Sequence, residues 1–276
     1  SKNGKLNIRN MARKKLIVGN WKMHFNVPDS SMYAHKLSEL IKVYRDVEVV
    51  VAPTMLAVQT LSLQVNYRQI KLAAQNFYHK DSGSYTGEVS ANMLRGMVNY
   101  GIVGHFERRN IFMESDKEVR KKVEAAIRNH IKPIICVGET LQERMDNETK
   151  AVLHDQVYSS LVDVTKEDLK NIVIAYEPVW AIGTGEHASA EDVKRSVRII
   201  RSLIRTLFGQ EAASDVRILY GGSVNLSNAD VYLNVDNVDG LLIGGASLDA
   251  YQFSGIVEKA HFMQLEETKR RIDERL

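Results

Sequence analysis

One carboxylate stands where a general base would be placed. The run Ile172–Glu177 is apolar and rich in β-branched residues, and Pro178 follows it directly. Because proline cannot donate to a sheet ladder, we expect Glu177 to be the last residue of a strand. A small-residue segment with Gly183 and Gly185 comes next, as in a loop that can close. A carboxylate on a rigid strand end under such a loop suits a general base, although a strand-end glutamate alone is more often a surface residue.

Lys22 and His105 follow two other apolar runs. The run Lys15–Asn20 leads to Lys22, and the run Gly101–Gly104 leads to His105, which precedes a predicted helical turn. A helix N-terminus lowers the pKa of an adjacent histidine, so we expect a neutral imidazole. Taken singly, these side chains are typical of a solvated lysine and a hydrogen-bonded structural histidine.

Together, the three side chains indicate one kind of chemistry. A neutral imidazole donates a hydrogen bond to a carbonyl oxygen, while a carboxylate removes a proton from the neighbouring carbon. The pairs Gly221-Gly222 and Gly244-Gly245 alone indicate tight turns, but glycines also let backbone N–H groups approach a phosphate. The sequence therefore predicts proton abstraction beside a carbonyl in a small phosphorylated molecule. It offers no metal cluster, cofactor fingerprint or nucleophile–base pair that would compete with this prediction.

Apolar β-type runs alternate with helical patterns along the chain, and these elements must position the side chains above. The pairs Ser115 with Glu118 and Ser189 with Asp192 are capping-box patterns at two helix starts, and Gly209 is placed to end the second helix. The apolar runs are short, rich in Val and Ile and mostly unalternated, as in strands buried on both faces. The predicted strands are Lys15–Asn20, Val47–Val51, Ile70–Gln75, Gly101–Gly104, Ile131–Val137, Ile172–Glu177, Val216–Tyr220 and Val238–Ile243.

This alternation predicts an α/β fold with a parallel sheet, closed into a single-domain (β/α)8 barrel. A doubly wound open sheet is the alternative, but the glycine-rich dinucleotide fingerprint expected after an early strand is absent. In such a barrel, chemistry lies at the carboxyl ends of the strands, and the loops after strands seven and eight usually hold phosphate. The side chains and glycine pairs above occupy these places.

Composition limits the classes of partner. The chain has 276 residues, of which 44% are apolar and 26% charged, and its net charge is +3. So small and scattered an excess of positive charge argues against a nucleic-acid or membrane partner, and no apolar run of roughly 18 residues predicts a membrane span. The single cysteine, Cys136, cannot form an intrachain disulfide, so we expect a buried thiol in a cytoplasmic protein.

The chain divides into one domain with two short extensions. We expect residues 1–10 to be a disordered arm or a remnant of cloning, because Met11 has the place of a natural start. Residues 11–264 form the barrel domain. The highly charged residues 265–276 are expected to be a solvated extension of the last helix.

The motifs, taken in order, resemble the triosephosphate isomerase family over nearly the whole of Arg13–Gln264. The matching segments are Gly19–Met23, Ala74–Asn76, Thr86–Glu88, Val103–His105, Glu107–Arg109, Cys136–Glu139, Ala175–Gly185, Tyr220–Val224 and Gly240–Gly245. This resemblance implies interconversion of dihydroxyacetone phosphate and D-glyceraldehyde 3-phosphate through an enediolate, in glycolysis and gluconeogenesis, with no cofactor and no metal. A glutamate base with a neutral histidine electrophile is the established mechanism of that family.

By position, the resemblance implies a role for each site residue. Glu177 is the base and His105 the electrophile, while Asn20 and Lys22 bind substrate and stabilise the charge of the enediolate. Glu107 supports Lys22. Backbone groups would hold the phosphate at Gly183, Ser223, Gly244 and Gly245.

The resemblance also implies a closing lid over residues 178–188. Tyr220 and Ser223 would latch the lid, and Glu139 would contact Trp180. The lid residues carried over are Pro178, Val179, Trp180, Ala181, Ile182, Gly183, Thr184 and Gly185.

The family is dimeric, which implies a homodimer for this chain. The loop Phe77–Glu88 would insert into the partner near its active site, with Thr86 reaching across. We interpret the aromatic residues Phe77 and Tyr85 of this loop as interface packing.

The sequence departs from the family at a few positions, and these keep other functions open. Phe106 stands where a serine usually holds the base in its open position, so a bulky ring there could crowd Glu177. Glu186-His187 replace the usual Lys-Thr at the far hinge of the lid, and His24 replaces an asparagine near the dimer loop. A non-catalytic phosphate-binding scaffold and another phosphosugar isomerase on the same barrel are the alternatives.

Overall fold

The computed structural model describes residues 13–182, 184 and 186–275. The expected N-terminal arm, with Met11, and the lid glycines Gly183 and Gly185 lie outside the described residues. Within these ranges, eight parallel strands close into a barrel, since β1 pairs with both β2 and β8. The strands are β1 Lys15–Asn20, β2 Val47–Ala52, β3 Lys71–Ala74, β4 Tyr100–Val103, β5 Lys132–Val137, β6 Val173–Tyr176, β7 Arg217–Tyr220 and β8 Gly240–Ile243.

Each predicted strand overlaps an observed one, and the differences lie at the ends. The prediction for β8 begins too early because the N–H of Val238 donates to the carbonyl of Val235 in a turn. Glu177 is not the last residue of β6, as predicted, but the residue after it. Its N–H still donates to the carbonyl of Val137 at 2.8 Å, so the carboxylate remains fixed to the end of the sheet.

Helices follow the strands and cover the outside of the barrel. Both predicted capping boxes are present, at Ser115 and at Ser189, and Gly209 ends the second of these helices with a φ of 93°. In the described part of the chain the helices are α1 Val27–Leu40, α2 Met55–Gln64, α3 Ala91–Leu94, α4 Phe106–Asn110, α5 Asp116–Arg128, α6 Leu141–Met145, α7 Thr149–Leu161, α8 Ala190–Phe208, α9 Gln210–Ala213, α10 Ala229–Leu233 and α11 Ala250–Asp273. No helix among them is long and apolar enough to cross a membrane.

The core has two parts because strand residues alternate between the inside of the barrel and the layer under the helices. The barrel interior contains Cys136, which is fully buried as predicted, together with side chains such as Val50 and Leu219. The larger outer part lies between strands and helices and includes Trp21 and Phe253. This rigid double layer fixes the strand ends that carry the candidate site.

Candidate active site

A cleft of about 420 Å³ lies at the carboxyl ends of the strands. Most of the predicted site residues line it, and they come from the end of β1 and from the segments that follow β1, β4, β6, β7 and β8. Glu107 lies behind Lys22 rather than in the wall, and Gly183 is outside the described residues. The predicted residues that line the cleft are Asn20, Lys22, His105, Glu177, Ser223, Gly244 and Gly245.

Glu177 is almost completely buried, with 2% of its surface exposed. One carboxyl oxygen accepts a hydrogen bond from the backbone N–H of Phe106 at 3.0 Å, and the other lies 3.1 Å from Nε2 of His105. Burial raises the pKa of Glu177 to about 8, although the Phe106 N–H and the charge of Lys22 partly oppose this rise. A carboxyl group with so high a pKa is a far stronger base than an exposed glutamate.

His105 is held as a neutral imidazole with a defined tautomer. It is the N-cap of α4, where Nδ1 accepts a hydrogen bond from the N–H of Glu107 at 3.2 Å. The proton of the neutral ring therefore sits on Nε2, which faces Glu177. Burial lowers the pKa of His105 to about 4, and Lys22 acts in the same direction while Glu107 opposes it. The low pKa agrees with the prediction, but its main cause is burial.

Lys22 has a left-handed backbone, with a φ of 52°, and three neighbours hold it there. Its N–H donates to Oδ1 of Asn20 at 3.1 Å, and its carbonyl accepts from Nε2 of Gln75 at 2.8 Å. Its ammonium group donates to Glu107 at 2.7 Å. A non-glycine residue in this conformation costs free energy and persists only where the surroundings fix it. Gln75 belongs to the segment Ala74–Asn76 that resembles the family, but the sequence does not predict its contact with Lys22.

Phe106 shapes the wall of the cleft. Its ring lies 4.9 Å from the ring of His105 and 5.7 Å from the ammonium nitrogen of Lys22, measured between ring centres and from nitrogen to ring centre. Its backbone, rather than its side chain, holds Glu177. The ring therefore covers one side of the buried histidine, and a site with less water strengthens electrostatic interactions there.

The first part of the lid is anchored. The indole N–H of Trp180 donates to the hydroxyl of Tyr176 at 3.2 Å, and that hydroxyl donates to Glu139 at 2.6 Å. The predicted contact between Glu139 and Trp180 is therefore made through Tyr176, together with a direct bond from the Trp180 backbone N–H to the Glu139 carbonyl at 3.2 Å. The guanidinium of Arg144 covers the indole ring at 3.8 Å. Beyond this anchor, Ile182 is exposed at 38%.

Two buried polar atoms near the lid have no hydrogen-bond partner among the described residues. They are the hydroxyl of Tyr220 and Oε2 of Glu139. Buried polar groups are nearly always bonded, so each of these has spare capacity for a bond that this conformation lacks. The Tyr220 ring stacks on Tyr232 at 4.1 Å, and the hydroxyl of Tyr232 holds the carbonyl of Ala188 beyond the lid.

Glycine pairs lie in the loops that follow β7 and β8, and Gly222 of the first pair must be glycine. A side chain on Gly222 would place its Cβ 2.1 Å from the hydroxyl of Tyr220. A Cβ on Gly244 would lie 3.4 Å from Cε of Lys22, in ordinary van der Waals contact. The open backbone beside Lys22 leaves room for an anionic group there. No cluster of metal-ligating side chains is found among the residues described.

The loop Phe77–Glu88 lies on the surface, with Thr86 exposed. The ring of Tyr85 packs against that of Tyr78 at a tilt, with the ring centres 4.5 Å apart, and Tyr85 remains 39% exposed. The interpretation of Phe77 as an interface residue is wrong, because its ring is 2% exposed and packs in the core, where it fills the space beside Gly101.

A family model described as triosephosphate isomerase matches residues 15–260. The triosephosphate isomerase of Chloroherpeton thalassium is 45% identical over 250 residues, which cover 90% of this chain and 99% of the relative. That of Alkaliphilus oremlandii is 43% identical over 246 residues, covering 89% and 99%. The triosephosphate isomerase of Thermodesulfovibrio yellowstonii is 42% identical over 246 residues, which cover 89% of this chain and 99% of the relative.

Proposed function

The chain belongs to the triosephosphate isomerase family and interconverts dihydroxyacetone phosphate with D-glyceraldehyde 3-phosphate, and we propose that the cleft at the carboxyl ends of its strands is where it does so. This reaction is a step of glycolysis and, in reverse, of gluconeogenesis. The observation that carries the proposal is the contact of 3.1 Å between Nε2 of His105 and the carboxyl group of Glu177. It puts a base and a neutral hydrogen-bond donor side by side in a buried site.

Glu177 is the general base. Its carboxylate removes a proton from the carbon beside the substrate carbonyl and returns it to the neighbouring carbon. In the free enzyme the carboxyl group is held by the Phe106 N–H and by His105, so it must leave these donors to reach the substrate. The high pKa that burial gives it makes proton abstraction from carbon less unfavourable.

His105, Lys22 and Asn20 stabilise the charge that develops on oxygen. The Nε2–H of a neutral imidazole donates to the carbonyl oxygen and then to the enediolate, and the ammonium group of Lys22 supplies a positive charge. The Asn20 side chain positions Lys22 through the backbone bond at 3.1 Å, and Glu107 positions its ammonium group. Fixed donors need little reorganisation during the reaction.

The substrate phosphate binds to backbone N–H groups of the glycine loops. Ser223, Gly244 and Gly245 line the same cleft as the base, and Gly183 completes the set by its place in the sequence. Closure of the lid, residues 178–188, would exclude water and prevent loss of phosphate from the enediolate. The unbonded hydroxyl of Tyr220 supports its role as a latch, together with Ser223.

The protein acts as a homodimer in the cytoplasm. Support for the dimer comes from the exposed loop Phe77–Glu88 with Thr86, and from apolar side chains that are exposed in the single chain. Met23 is 92% exposed and Phe112 63% exposed. Burial against a second copy would remove this surface from water.

Nothing in the described residues favours a non-catalytic scaffold. Phe106, the feature that raised this alternative, leaves Glu177 and His105 in contact, and its backbone supplies one of the bonds to the base.

A coupled assay with glyceraldehyde 3-phosphate tests the proposed site. Lys22→Met should lower kcat/KM by at least about 10²-fold, because it removes the cation of the cleft. Lys150→Met, at an exposed position on α7, is the matched control and should keep the activity of the unmodified enzyme. Near-normal activity of Lys22→Met would place the chemistry elsewhere.

A further inference from the structure

The lid segment, residues 178–188, contributes to the wall of the catalytic cleft from both of its ends. Ala181 and Ile182 line the cleft near the start of the segment, and His187 and Ala188 line it at the end. Ala181 and Ala188 are buried, and the described residues between them are exposed. The positions of the two buried ends therefore decide how the exposed part can lie over the cleft.

Arg144 contacts the first end of the lid segment. It lies in the last turn of α6, and its guanidinium covers the indole ring of Trp180 at 3.8 Å from the ring centre. Trp180 is only 6% exposed, and its indole N–H donates to the hydroxyl of Tyr176. The attraction between a cation and an aromatic face is stronger where water is partly excluded. Arg144 therefore helps to fix the ring of Trp180.

The same guanidinium reaches the residues that follow the lid segment. Its Nη2 donates to Oδ1 of Asp192 at 3.0 Å. The other carboxyl oxygen of Asp192 accepts a hydrogen bond from the hydroxyl of Ser189 at 2.9 Å, and these two residues form the capping box of α8. Burial would raise the pKa of Asp192, but the hydrogen bonds from Arg144 and Ser189 outweigh it and hold this pKa below its usual value. The bond between Arg144 and Asp192 is therefore charge-assisted at neutral pH.

Arg144 thus joins two anchors on either side of the exposed part of the lid. Trp180 precedes that part and Asp192 follows it, while Arg144 comes from a third element, α6. Tying the ends of a loop reduces the conformations it can adopt, so less entropy is lost when the loop becomes ordered over a ligand. Neither Arg144 nor Asp192 is among the described residues that line the cleft, so an effect on catalysis must pass through the lid segment.

We propose that Arg144 is a positioning residue of the isomerase, which joins Trp180 to Asp192 and so holds the two ends of the lid where the lid can close over the substrate phosphate. This inference rests on the proposed function, since it requires that residues 178–188 act as a lid. Without the bridge, the enediolate is covered less well. An uncovered enediolate loses phosphate: its oxyanion becomes a carbonyl as the C–O bond to the phosphate breaks, and the electron pair leaves with inorganic phosphate.

The ratio of phosphate release to isomerisation tests the proposal. Both rates are measured on the same sample, so a change in the amount of folded enzyme cancels in their ratio. Arg144→Met keeps an unbranched side chain and removes its charge. It should raise the ratio by about threefold to tenfold and lower kcat/KM to a similar extent, as expected when a cation–π contact and a part-exposed ion pair are both lost.

Two further variants complete the test. Arg198→Met, at an exposed position on α8, is the matched control and should leave the ratio and kcat/KM unchanged. Asp192→Asn should raise the ratio in the same direction as Arg144→Met. Because both changes break one bridge, the double variant should have the ratio of Arg144→Met alone.

A ratio in Arg144→Met equal to that of the unmodified enzyme would overturn the proposal, whatever happens to thermal stability, and so would additive effects in the double variant. If Arg144→Met does not fold, Asp192→Asn replaces it with the same expected and contrary ratios. Near-normal activity of Lys22→Met would overturn the assignment of the cleft and this inference together. Loss of activity in Lys22→Met, beside an unchanged ratio in Arg144→Met, would overturn this inference alone.

Discussion

Each end of the barrel holds a buried glutamate, and the pKa values of the two glutamates are shifted in opposite directions. At the carboxyl end, burial raises the pKa of Glu177 to about 8. At the amino end, burial acts on Glu48 in the same direction, but the charge and hydrogen bond of Arg217 outweigh it and lower the pKa below its usual value. The difference lies in the partners, because Glu177 meets neutral donors and Glu48 meets a guanidinium.

This contrast shows how one scaffold separates reactivity from stability. A carboxyl group without a close cation is a strong base, which the reaction needs, but its ionisation costs free energy in the folded state. A carboxylate paired with arginine is chemically inert and helps to hold the barrel closed. The same substitution at the two ends should therefore have different effects.

The largest effect is expected for Glu177→Gln. The amide keeps the shape of the carboxyl group but cannot accept a proton, so kcat should fall by at least about 10²-fold. Steady-state kinetics in both directions measures this, with Glu191→Gln on the exposed side of α8 as the control. Near-normal turnover would show that Glu177 is not the base.

The same variant should be more stable than the unmodified enzyme at neutral pH. The folded-state pKa of Glu177, about 8, lies above the usual value of 4.5. The folded state therefore binds more protons in this window, and its stability falls as the pH rises from 4.5 to about 8. Glu177→Gln removes that loss, so thermal unfolding should show a stability gain that grows with pH. A gain that does not change with pH would contradict the raised pKa.

Glu48→Gln should have the opposite result. It leaves the buried guanidinium of Arg217 without its counter-charge, which costs about 3 kcal/mol for a broken buried pair. Denaturant unfolding should show the loss, while kcat of the folded enzyme stays unchanged. Unaltered stability would mean that the amino end of the barrel does not depend on the ion pair between Glu48 and Arg217.

Sequence patterns predicted the carboxyl end much better than the amino end. Glu177 and His105 could be singled out because each directly follows an apolar run of the sequence, and barrel enzymes place their chemistry at such strand ends. Glu48 sits inside the strand β2, and its partner Arg217 is 169 positions away on a strand that is not its neighbour. The local sequence pattern therefore contains no signal for an ion pair between such distant residues.

Other details depend on tertiary structure in the same way. The left-handed backbone of Lys22 and the contact with Gln75 arise between distant loops. The burial of Phe77 reflects the space left beside Gly101, which the aromatic character of the loop could not reveal. Strand ends were predicted less well than strand centres, because turns such as that at Val238 end the ladder before the apolar pattern changes.

The variant Phe106→Ser tests whether the phenylalanine ring keeps water away from Glu177 and His105. The fold should remain intact, while loss of the ring lets water approach Glu177 and His105, so their pKa shifts should shrink. We expect a change in kcat or KM of up to about tenfold, the equivalent of one pKa unit. Phe262→Ser, at a position 55% exposed on α11, serves as the control. Unchanged values of both kcat and KM would contradict the proposed effect of the Phe106 ring.

The smallest effects concern two tyrosine hydroxyls, one at each end. The hydroxyl of Tyr100 bonds to Arg217 and Glu48, so Tyr100→Phe should cost about 1 kcal/mol of stability. The hydroxyl of Tyr220 has no partner in the described residues, so Tyr220→Phe should cost nothing in the substrate-free enzyme and should lower kcat/KM. Equal stability losses in the two variants would refute the latch.

The pH dependence of kcat/KM tests the central claim most directly, since it reports the ionisation of the free enzyme. Glu177 must be ionised to act as the base, whereas His105, with a pKa of about 4, is neutral over the measured range. We expect kcat/KM to rise with pH through an apparent pKa near the value of about 8 for Glu177. An acidic limb near the ordinary carboxyl value of 4.5 would show that burial does not tune the base.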